Sequence, residues 1–342
     1  FHKATGTDPC VDSDSLLRIS RAYDQIVPIA AGSDYWVRLI DDNRDKLPNF
    51  LGIGDISLNR LSEKEFQLET CRNEGILFPK SVVIHDYQEL DRARSMSFPV
   101  VVKPSVRGSA PGSFRILRFN SFSELAKSPA VRTAPGPLTI GEFVPGNDAH
   151  LFTFGAVANS GEVIADFYGR KLTQKPMLFG TAGVAESLSA MSELRLPATR
   201  FLRSTRFTGI TQIEFKRHAE TGHYYFIEMN PRAWLWIAVA TRIGRNLPLT
   251  HYRSAIGLLE CRTRQRQNRK ALFVSGASIL QNIRSERNAI ALWYIVTRLG
   301  SHVITPAVLS LQDLSPFLVR TKATFMKGVA KCGRIVRSVW RK

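Results

Sequence analysis

The chain has 342 residues, of which 44% are hydrophobic and 22% are charged, and these are the proportions of an ordinary globular protein. This length allows two or three modules with a substantial core. The four cysteines, Cys10, Cys71, Cys261 and Cys332, are far apart and include no Cys-x-x-Cys pair. That spacing argues against a disulfide framework or a zinc site, and it favours a reducing, cytoplasmic compartment.

Residues 1–61 mix helix and strand signals. We expect a helix over Ser13–Tyr23, a buried strand over Gln25–Ala30, and a second helix from Asp34 to Asn43 that is capped by Ser33 and Asp34. Strand, cap and helix in this order are half of an open α/β sheet. The chain begins at Phe1 with no initiator Met and no signal peptide, so we expect that an N-terminal piece precedes it.

The next segment ends in a lysine and a loop of small residues. A capped helix from Ser62 to Gly75 and a strand over Ser81–Ile84 come first. The apolar strand Phe98–Lys103 then presents a lysine at its end. The loop behind it offers backbone N–H groups and hydroxyls to an anion, through Gly108, Ser109 and Gly112. A point charge next to a nest of donors suits a triphosphate.

Further strands follow a helix around Phe122–Lys127. We expect a strand over Leu138–Val144, then a hairpin of His150–Ala158 and Glu162–Tyr168 around the turn Asn159-Ser160-Gly161. Two adjacent cations, Arg170 and Lys171, close the second strand, where they suit a carboxylate or an acyl phosphate or else are solvated. The segment Gln174–Ser187 is interpreted as a loop on the substrate side.

The most informative stretch is Thr211–Arg232, which has the pattern of a β-hairpin. Glu228 and Asn230 are two residues apart and therefore point to one face, and a suitable register brings Glu214 opposite them. Two carboxylates and an amide oxygen form a set that Mg²⁺ prefers. The alternative is an exposed hairpin with solvated acids, but the apolar neighbours of both acids argue against it.

These segments, in this order, resemble the ATP-grasp superfamily. IEFK followed by YYFIEMNPR resembles its metal-binding hairpin, FPVVVKP with the glycine loop resembles its phosphate-binding strand and loop, and GEFVPGND (141–148) resembles its hinge at the adenine. FYGRKLTQKP and FGTAGVAES add a resemblance to the carboxylate-amine ligases, which include D-aspartate ligase. FIEMNPR also resembles the metal strand of biotin carboxylases, but the residues after Arg232 depart from theirs.

The resemblance implies a role for each site residue. The implied metal ligands are Glu214, Glu228 and Asn230. The implied nucleotide-binding residues are Lys64, Lys103, Gly108, Ser109, Gly112, Glu142, Phe143, Val144 and Asp148. The residues implied to stabilise an anionic reaction intermediate are Arg170, Lys171 and Arg232. Taken alone, Lys64 fits a solvated helix lysine and Glu142 to Val144 fit an ordinary strand end. The implied cofactors are ATP and Mg²⁺, with Mn²⁺ as an alternative metal.

The resemblance also implies an architecture and an activity. We expect an α/β (α+β) chain in which a partial pre-ATP-grasp, Rossmann-like domain (1–61) precedes an ATP-grasp domain (62–260, with subdomains 62–141 and 142–260) and a basic extension (261–342). The implied activity is an ATP-dependent ligation of a small-molecule or peptide carboxylate to an amine, such as a cell-wall precursor. The alternatives are a phosphoryl-transfer or carboxylating enzyme, or a non-catalytic nucleotide-binding scaffold at a membrane.

The net charge of +18 is concentrated at one end. Residues 261–342 hold sixteen Lys or Arg against Glu286 and Asp313, a net +14, which leaves +4 on the rest. Cations from Lys327 to Arg341 recur on one face of a predicted amphipathic helix. Before this segment, we expect an aromatic-rich helix over Trp234–Ile243, and we assign its tryptophans to the core. We expect a peripheral contact with an anionic membrane, in preference to nucleic acid. Polar residues interrupt the apolar stretch 289–311 and argue against a membrane span.

Overall fold

Two β-sheets form the walls of one large cleft in the computed structural model, which describes residues 8–30, 32–105, 114–258, 269–276 and 290–307. The strands in these residues are β1 (Ser81–Ile84), β2 (Val100–Pro104), β3 (Leu117–Phe119), β4 (Leu138–Glu142), β5 (Leu151–Asn159), β6 (Glu162–Lys175), β7 (Thr181–Ser187), β8 (Gly209–Arg217), β9 (Tyr224–Asn230), β10 (Lys270–Val274) and β11 (His302–Pro306). The small sheet has the antiparallel order β1-β4-β2-β3. The large sheet has the order β11-β10-β7-β6-β5-β8-β9, with only β10 and β11 parallel.

Helices cover the sheets. They are α1 (Pro9–Ala22), α2 (Asp34–Asp42), α3 (Leu58–Ser62), α4 (Lys64–Asn73), α5 (Phe122–Lys127), α6 (Pro129–Arg132), α7 (Ser192–Ser204), α8 (Ala238–Arg242), α9 (Leu247–Ala255) and α10 (Ile290–Val296), with short 3-10 helices at Arg44–Lys46, Tyr87–Ala93 and Asp148–His150. One apolar core lies behind the small sheet, and two others lie on opposite faces of the large sheet. The cleft is therefore held between separately packed layers.

The N-terminal residues do not form the predicted strand. Residues 25–30 contribute a single bridge, between Ile26 and Phe50, and the segment otherwise lacks regular structure. Its apolar run favoured a buried strand, but Pro28 removes a backbone donor, and no described strand pairs with the segment. The helix prediction is confirmed: α2 begins at Asp34 and buries Val37 and Ile40.

The long hairpin of β5 and β6 turns where the sequence predicts. Ser160 and Gly161 both have positive φ angles, of 49° and 87°, as a two-residue hairpin loop requires. A Cβ at Gly161 would lie 2.8 Å from the Arg203 Cα, so this position also needs glycine for close packing. Strand β6 then continues to Lys175, well beyond the predicted end.

Two other element predictions need correction. The predicted loop 174–187 contains strand β7, and the predicted helix 234–243 is reduced to the five residues of α8. Trp234 and Trp236 precede α8 and are buried, as expected for core residues. No helix within the described ranges is long and apolar enough to cross a bilayer. The predicted basic helix around 327–341 lies outside the described residues.

His251 on α9 makes the stability of the N-terminal segment depend on pH. The ring is 3% exposed, and a Cβ at Gly52 would lie 2.7 Å from its Cε1 atom. Burial lowers the pKa of His251 to about 4, and a hydrogen bond with the Pro28 backbone opposes that shift only in part. Between pH 4 and 6.5 the unfolded chain therefore binds more protons than the folded chain, so the free energy of unfolding falls as pH falls.

We expect His251→Gln to remove this dependence. Relative to the variant, the wild type should lose about 3 kcal/mol of stability on acidification from neutral pH to near pH 4. Urea unfolding at both pH values measures the difference, and His223→Gln, at an exposed turn, is the control. An equal loss in wild type and His251→Gln would contradict the prediction.

Candidate active site

The hairpin of β8 and β9 brings the predicted metal ligands together. Glu214 pairs directly with Glu228, and Gln212 pairs with Asn230, so the register confirms the predicted convergence. The Asn230 side-chain amide donates to the Glu228 Oε1 atom at 3.1 Å. Each acid is only 7% exposed, which rules out a solvated hairpin. Antiparallel pairing is what places two acids, distant in sequence by 14 residues, side by side on the cleft wall.

Two lysines neutralise these acids. The Lys64 Nζ atom lies 3.1 Å from the Glu228 Oε2 atom, and the Lys171 Nζ atom lies 2.9 Å from the Glu214 Oε1 atom. Lys64 comes from the first turn of α4 and Lys171 from β6, and both are more than nine-tenths buried. Buried charges need such partners, since an isolated ion in the interior is costly. Lys64 is therefore a site residue and not a solvated helix lysine.

The donor chemistry of the site fits a hard divalent cation. Two carboxylates and an amide oxygen suit Mg²⁺, whose remaining positions usually go to water and phosphate oxygens. The two ammonium groups show that the acids accept positive charge at this point of the cleft. No cluster of three or more His, Cys, Asp or Glu residues that could hold a metal occurs in the described part of the chain.

The other wall of the cleft is formed by the small sheet and by the linker to the large sheet, residues 143–150. Lys103, Glu142, Phe143 and Val144 all line the cleft, which has a volume of about 910 Å³. This size is at the upper end for small-ligand sites. The predicted phosphate loop, with Gly108, Ser109 and Gly112, lies outside the described residues, directly after the strand that carries Lys103.

Polar groups at the end of β4 already have partners in the chain. The backbone N–H groups of Glu142 and Phe143 already donate to the carbonyls of Lys80 and Pro99, each at 2.9 Å. One carboxylate oxygen of Glu142 accepts from the Ser97 N–H at 2.8 Å. These groups fasten the end of β4 to the small sheet. They are therefore not the donors through which this linker would hold a base.

Asp148, which the resemblance assigns to the nucleotide, orders a loop beside the cleft. Its carboxylate accepts bonds from the Gln174 N–H at 2.6 Å, the Gln174 side-chain amide at 3.0 Å and the Leu178 N–H at 2.6 Å. Both oxygens are used, and the residue is 7% exposed. The loop that it fixes places Leu178 and Gly180 on the cleft wall. Asp148 thus acts on the site through that loop.

Arg170 and Lys171 face opposite sides of the sheet, so the structure brings Lys171 but not Arg170 to the cleft. Lys171 lines the cleft, whereas the Arg170 Nε atom bonds the Glu186 Oε1 atom at 2.7 Å on the other face. Arg298 and His302 complete that second cluster. Burial works to raise the pKa of the Glu186 carboxyl, but hydrogen bonds from Arg298 and Arg170 outweigh it and lower the pKa. Residues two apart share a face of a strand and neighbours do not.

Arg232 faces the cleft, as predicted, and pairs with a residue that the sequence did not indicate. Its Nε atom lies 2.5 Å from the Asp34 Oδ1 atom at the start of α2. Both residues line the cleft, as do Trp236 and Ile237. No local pattern connects Asp34 to this site, because 198 residues separate the pair.

Lys216 is a further site residue that sequence reasoning missed. It lines the cleft, is 7% exposed and donates to the Asn147 carbonyl at 2.6 Å. Burial lowers the pKa of Lys216 to about 8, Asp148 opposes this shift, and the charge of Lys171 adds to it. The signal was present in the alternation of β8, since Lys216 is two residues from Glu214 and shares its face.

Comparison with known proteins supports this architecture. The chain matches no protein-family model. Acetyl-CoA carboxylase of Dictyostelium discoideum is 26% identical over a match of 171 residues that covers 48% of this chain. The chain spans only 7 to 9% of the length of the curated carboxylases that it matches.

Two solved structures are similar over most of the chain. The L-amino acid ligase from Bacillus licheniformis has a TM-score of 0.56 at 17% identity, and the match covers 78% of this chain and 66% of the ligase chain. The biotin carboxylase domain of Hydrogenobacter thermophilus 2-oxoglutarate carboxylase, in complex with MgADP, ADP and bicarbonate, has a TM-score of 0.62 at 19% identity and covers 76% and 60%. With its two sheets around one cleft, the chain has the ATP-grasp fold that these enzymes share.

Proposed function

We propose that the protein is an ATP- and Mg²⁺-dependent ligase that activates a substrate carboxylate as an acyl phosphate and joins it to an amine. The observation that carries this proposal is the buried set Glu214, Glu228 and Asn230, with lysines on both sides, in the wall of a cleft large enough for a nucleotide and a second ligand. The L-amino acid ligase and the MgADP-bound carboxylase domain, which share the fold, support it.

The site residues divide the work by charge. Glu214, Glu228 and Asn230 would hold Mg²⁺, which when bound supplies a positive charge that stabilises a phosphoryl group in transfer. Lys103, with the segment Gly108 to Gly112, would bind the phosphates of ATP. Lys64 would also contribute to phosphate binding, once its carboxylate partner Glu228 binds the metal. Glu142, Phe143 and Val144 would border the base through their side chains and remaining backbone groups.

The reaction has two balanced steps. In the first, a carboxylate oxygen of the substrate attacks the γ-phosphorus of ATP, and the bond to ADP breaks. In the second, the amine nitrogen attacks the acyl carbon, inorganic phosphate leaves and the nitrogen loses a proton. Lys171 and Arg232 would stabilise the anionic acyl phosphate, and the loop fixed by Asp148 would limit the access of water.

The substrates are assigned here only by class. An amino acid or peptide fits the resemblance to D-aspartate ligase and the similarity to an L-amino acid ligase, and a cell-wall precursor is one such acceptor. The Asp34–Arg232 pair offers both charges to a zwitterion at one end of the cleft. The domain boundaries at 61, 141 and 260 are part of the same proposal.

Carboxylation is the second candidate, because the acetyl-CoA carboxylases and the bicarbonate-bound domain are also similar to this chain. The same lysines and metal ligands would serve it, since bicarbonate is activated by the same attack on the γ-phosphorus. In that case ATP turnover depends on bicarbonate and not on an organic carboxylate. This dependence distinguishes the two reactions.

The test is phosphate release from MgATP with pools of amino acids, small carboxylates or bicarbonate, with hydroxylamine as a trap. We expect a hydroxamate that depends on one carboxylate and is absent with Glu228→Gln. The control is Glu220→Gln, at the exposed turn of the same hairpin. Turnover that requires bicarbonate alone would favour carboxylation, and ATP binding without turnover in every pool would favour the scaffold.

A further inference from the structure

Helix α10 is apolar on all sides, although only one side is packed. Its inner face, Ala291, Tyr294 and Ile295, packs against Leu172, Val184 and Leu272 of the large sheet. The outer face is equally apolar. A surface helix of a globular protein normally carries polar residues there.

The outer face continues over the next strand. Leu292, Trp293, Val296, Leu299 and Ile304 form what we call the apolar patch, and their exposures range from 36 to 64%. The helical members are one, three or four residues apart and share one side of the helix. An exposed apolar surface of this kind marks an interaction site.

The charged residues in the described segments that carry the patch are all cations. Residues 269–276 and 290–307 contain Arg269, Lys270 and Arg298 and no acid. The whole segment 261–342 has a net charge of +14 from sixteen cations and two acids. Apolar side chains with an aromatic residue, inside a strongly cationic segment, are complementary to the interface of an anionic bilayer.

The patch points away from the cleft. Helix α10 covers the face of β6 and β7 that carries Leu172, and Arg298 fastens its end to Glu186 on that same face. Lys171, between Arg170 and Leu172, points to the cleft instead. A surface bound at the patch therefore leaves the cleft open.

We propose that the apolar patch inserts into the interface of an anionic phospholipid membrane and docks the protein there. The contact is peripheral, because no described helix can span a bilayer. It does not depend on the reaction proposed for the cleft. The chemistry recognised is an anionic headgroup layer over acyl chains.

The experiment is co-sedimentation of the full chain with vesicles of phosphatidylcholine, with and without phosphatidylglycerol. We expect binding to the anionic vesicles only, with a loss of at least tenfold in the Leu292→Ser/Trp293→Ser/Val296→Ser variant. Leu196→Ser, at an equally exposed position on α7, is the matched control and should bind as wild type does. Circular dichroism and ATP turnover, unchanged in the triple variant, would show that it is folded.

A second variant separates insertion from adhesion. Trp293→Phe should keep vesicle binding while losing part of the fluorescence quenching by brominated lipid. Three results would overturn the proposal. In the first, the wild type does not bind anionic vesicles. In the second, the triple variant binds them as well as the wild type does. In the third, the wild type does not bind vesicles but forms a dimer that the triple substitution dissociates, which would assign the patch to a second copy of the chain.

Discussion

Replacing Glu228 with glutamine should lower MgATP turnover by at least about 100-fold, because the variant loses a charge of the proposed metal site, where phosphoryl charge would develop. The same change leaves the ammonium of Lys64 buried without its carboxylate. Breaking a buried pair from one side costs about 3–5 kcal/mol of folding stability. Phosphate release and urea unfolding measure the two effects separately.

A double variant separates lost chemistry from lost folding. Lys64→Met with Glu228→Gln removes both buried charges, and such replacements are often neutral for stability. We therefore expect the unfolding free energy to recover while turnover remains lost. Recovery of turnover together with stability would show that Glu228 acts only through packing, and the assignment of the metal site would then be wrong.

Lys171→Met and Arg170→Gln should behave oppositely, although the residues are adjacent. Lys171 is 2.9 Å from Glu214 in the cleft, so its loss should lower turnover by about 100-fold or more. Arg170 lies on the other face with Glu186, where Arg298 remains as a partner, so its loss should change turnover less than about threefold and act mainly on stability.

The Lys171 variant has a second readout. Removing the ammonium frees the Glu214 carboxylate, so Mn²⁺ alone should bind more tightly to Lys171→Met than to wild type, even though catalysis is lost. Electron paramagnetic resonance of Mn²⁺ titrations measures this affinity. Weaker Mn²⁺ binding in Lys171→Met would contradict the placement of the metal at Glu214, and equal turnover losses in the two variants would contradict the facing of Lys171.

Much of the site was predictable because it rests on one local rule. Alternation along β8 and β9 predicts that Glu214, Glu228 and Asn230 share a face, and the observed register agrees. The same rule excludes Arg170 from any site that contains Lys171, and it includes Lys216. The prediction grouped Arg170 with Lys171 and omitted Lys216, because it considered charge without the period of the strand.

Other features depend on contacts that no local pattern contains. Lys64 reaches Glu228 across 164 residues, and Arg232 reaches Asp34 across 198. The segment 25–30 has the composition of a buried strand, yet a strand needs a neighbour, and only Phe50 offers one bridge. Asp148 matched a family position, but its bonds to Gln174 and Leu178 are formed by tertiary packing.

The hydrogen bonds of Asp148 connect the crossing between the two sheets to the loop beside Lys171. The chain passes from the small sheet to the large sheet between Glu142 and Leu151, and Asp148 lies in that crossing. Its carboxylate accepts hydrogen bonds from Gln174 and Leu178, which hold the start of the following loop. The Gly180 carbonyl at the end of this loop lies 3.5 Å from the Lys171 Nζ atom. One carboxylate in the crossing therefore determines the position of the loop that contacts Lys171, so a change at Asp148 would reach the lysine beside Glu214 without touching it directly.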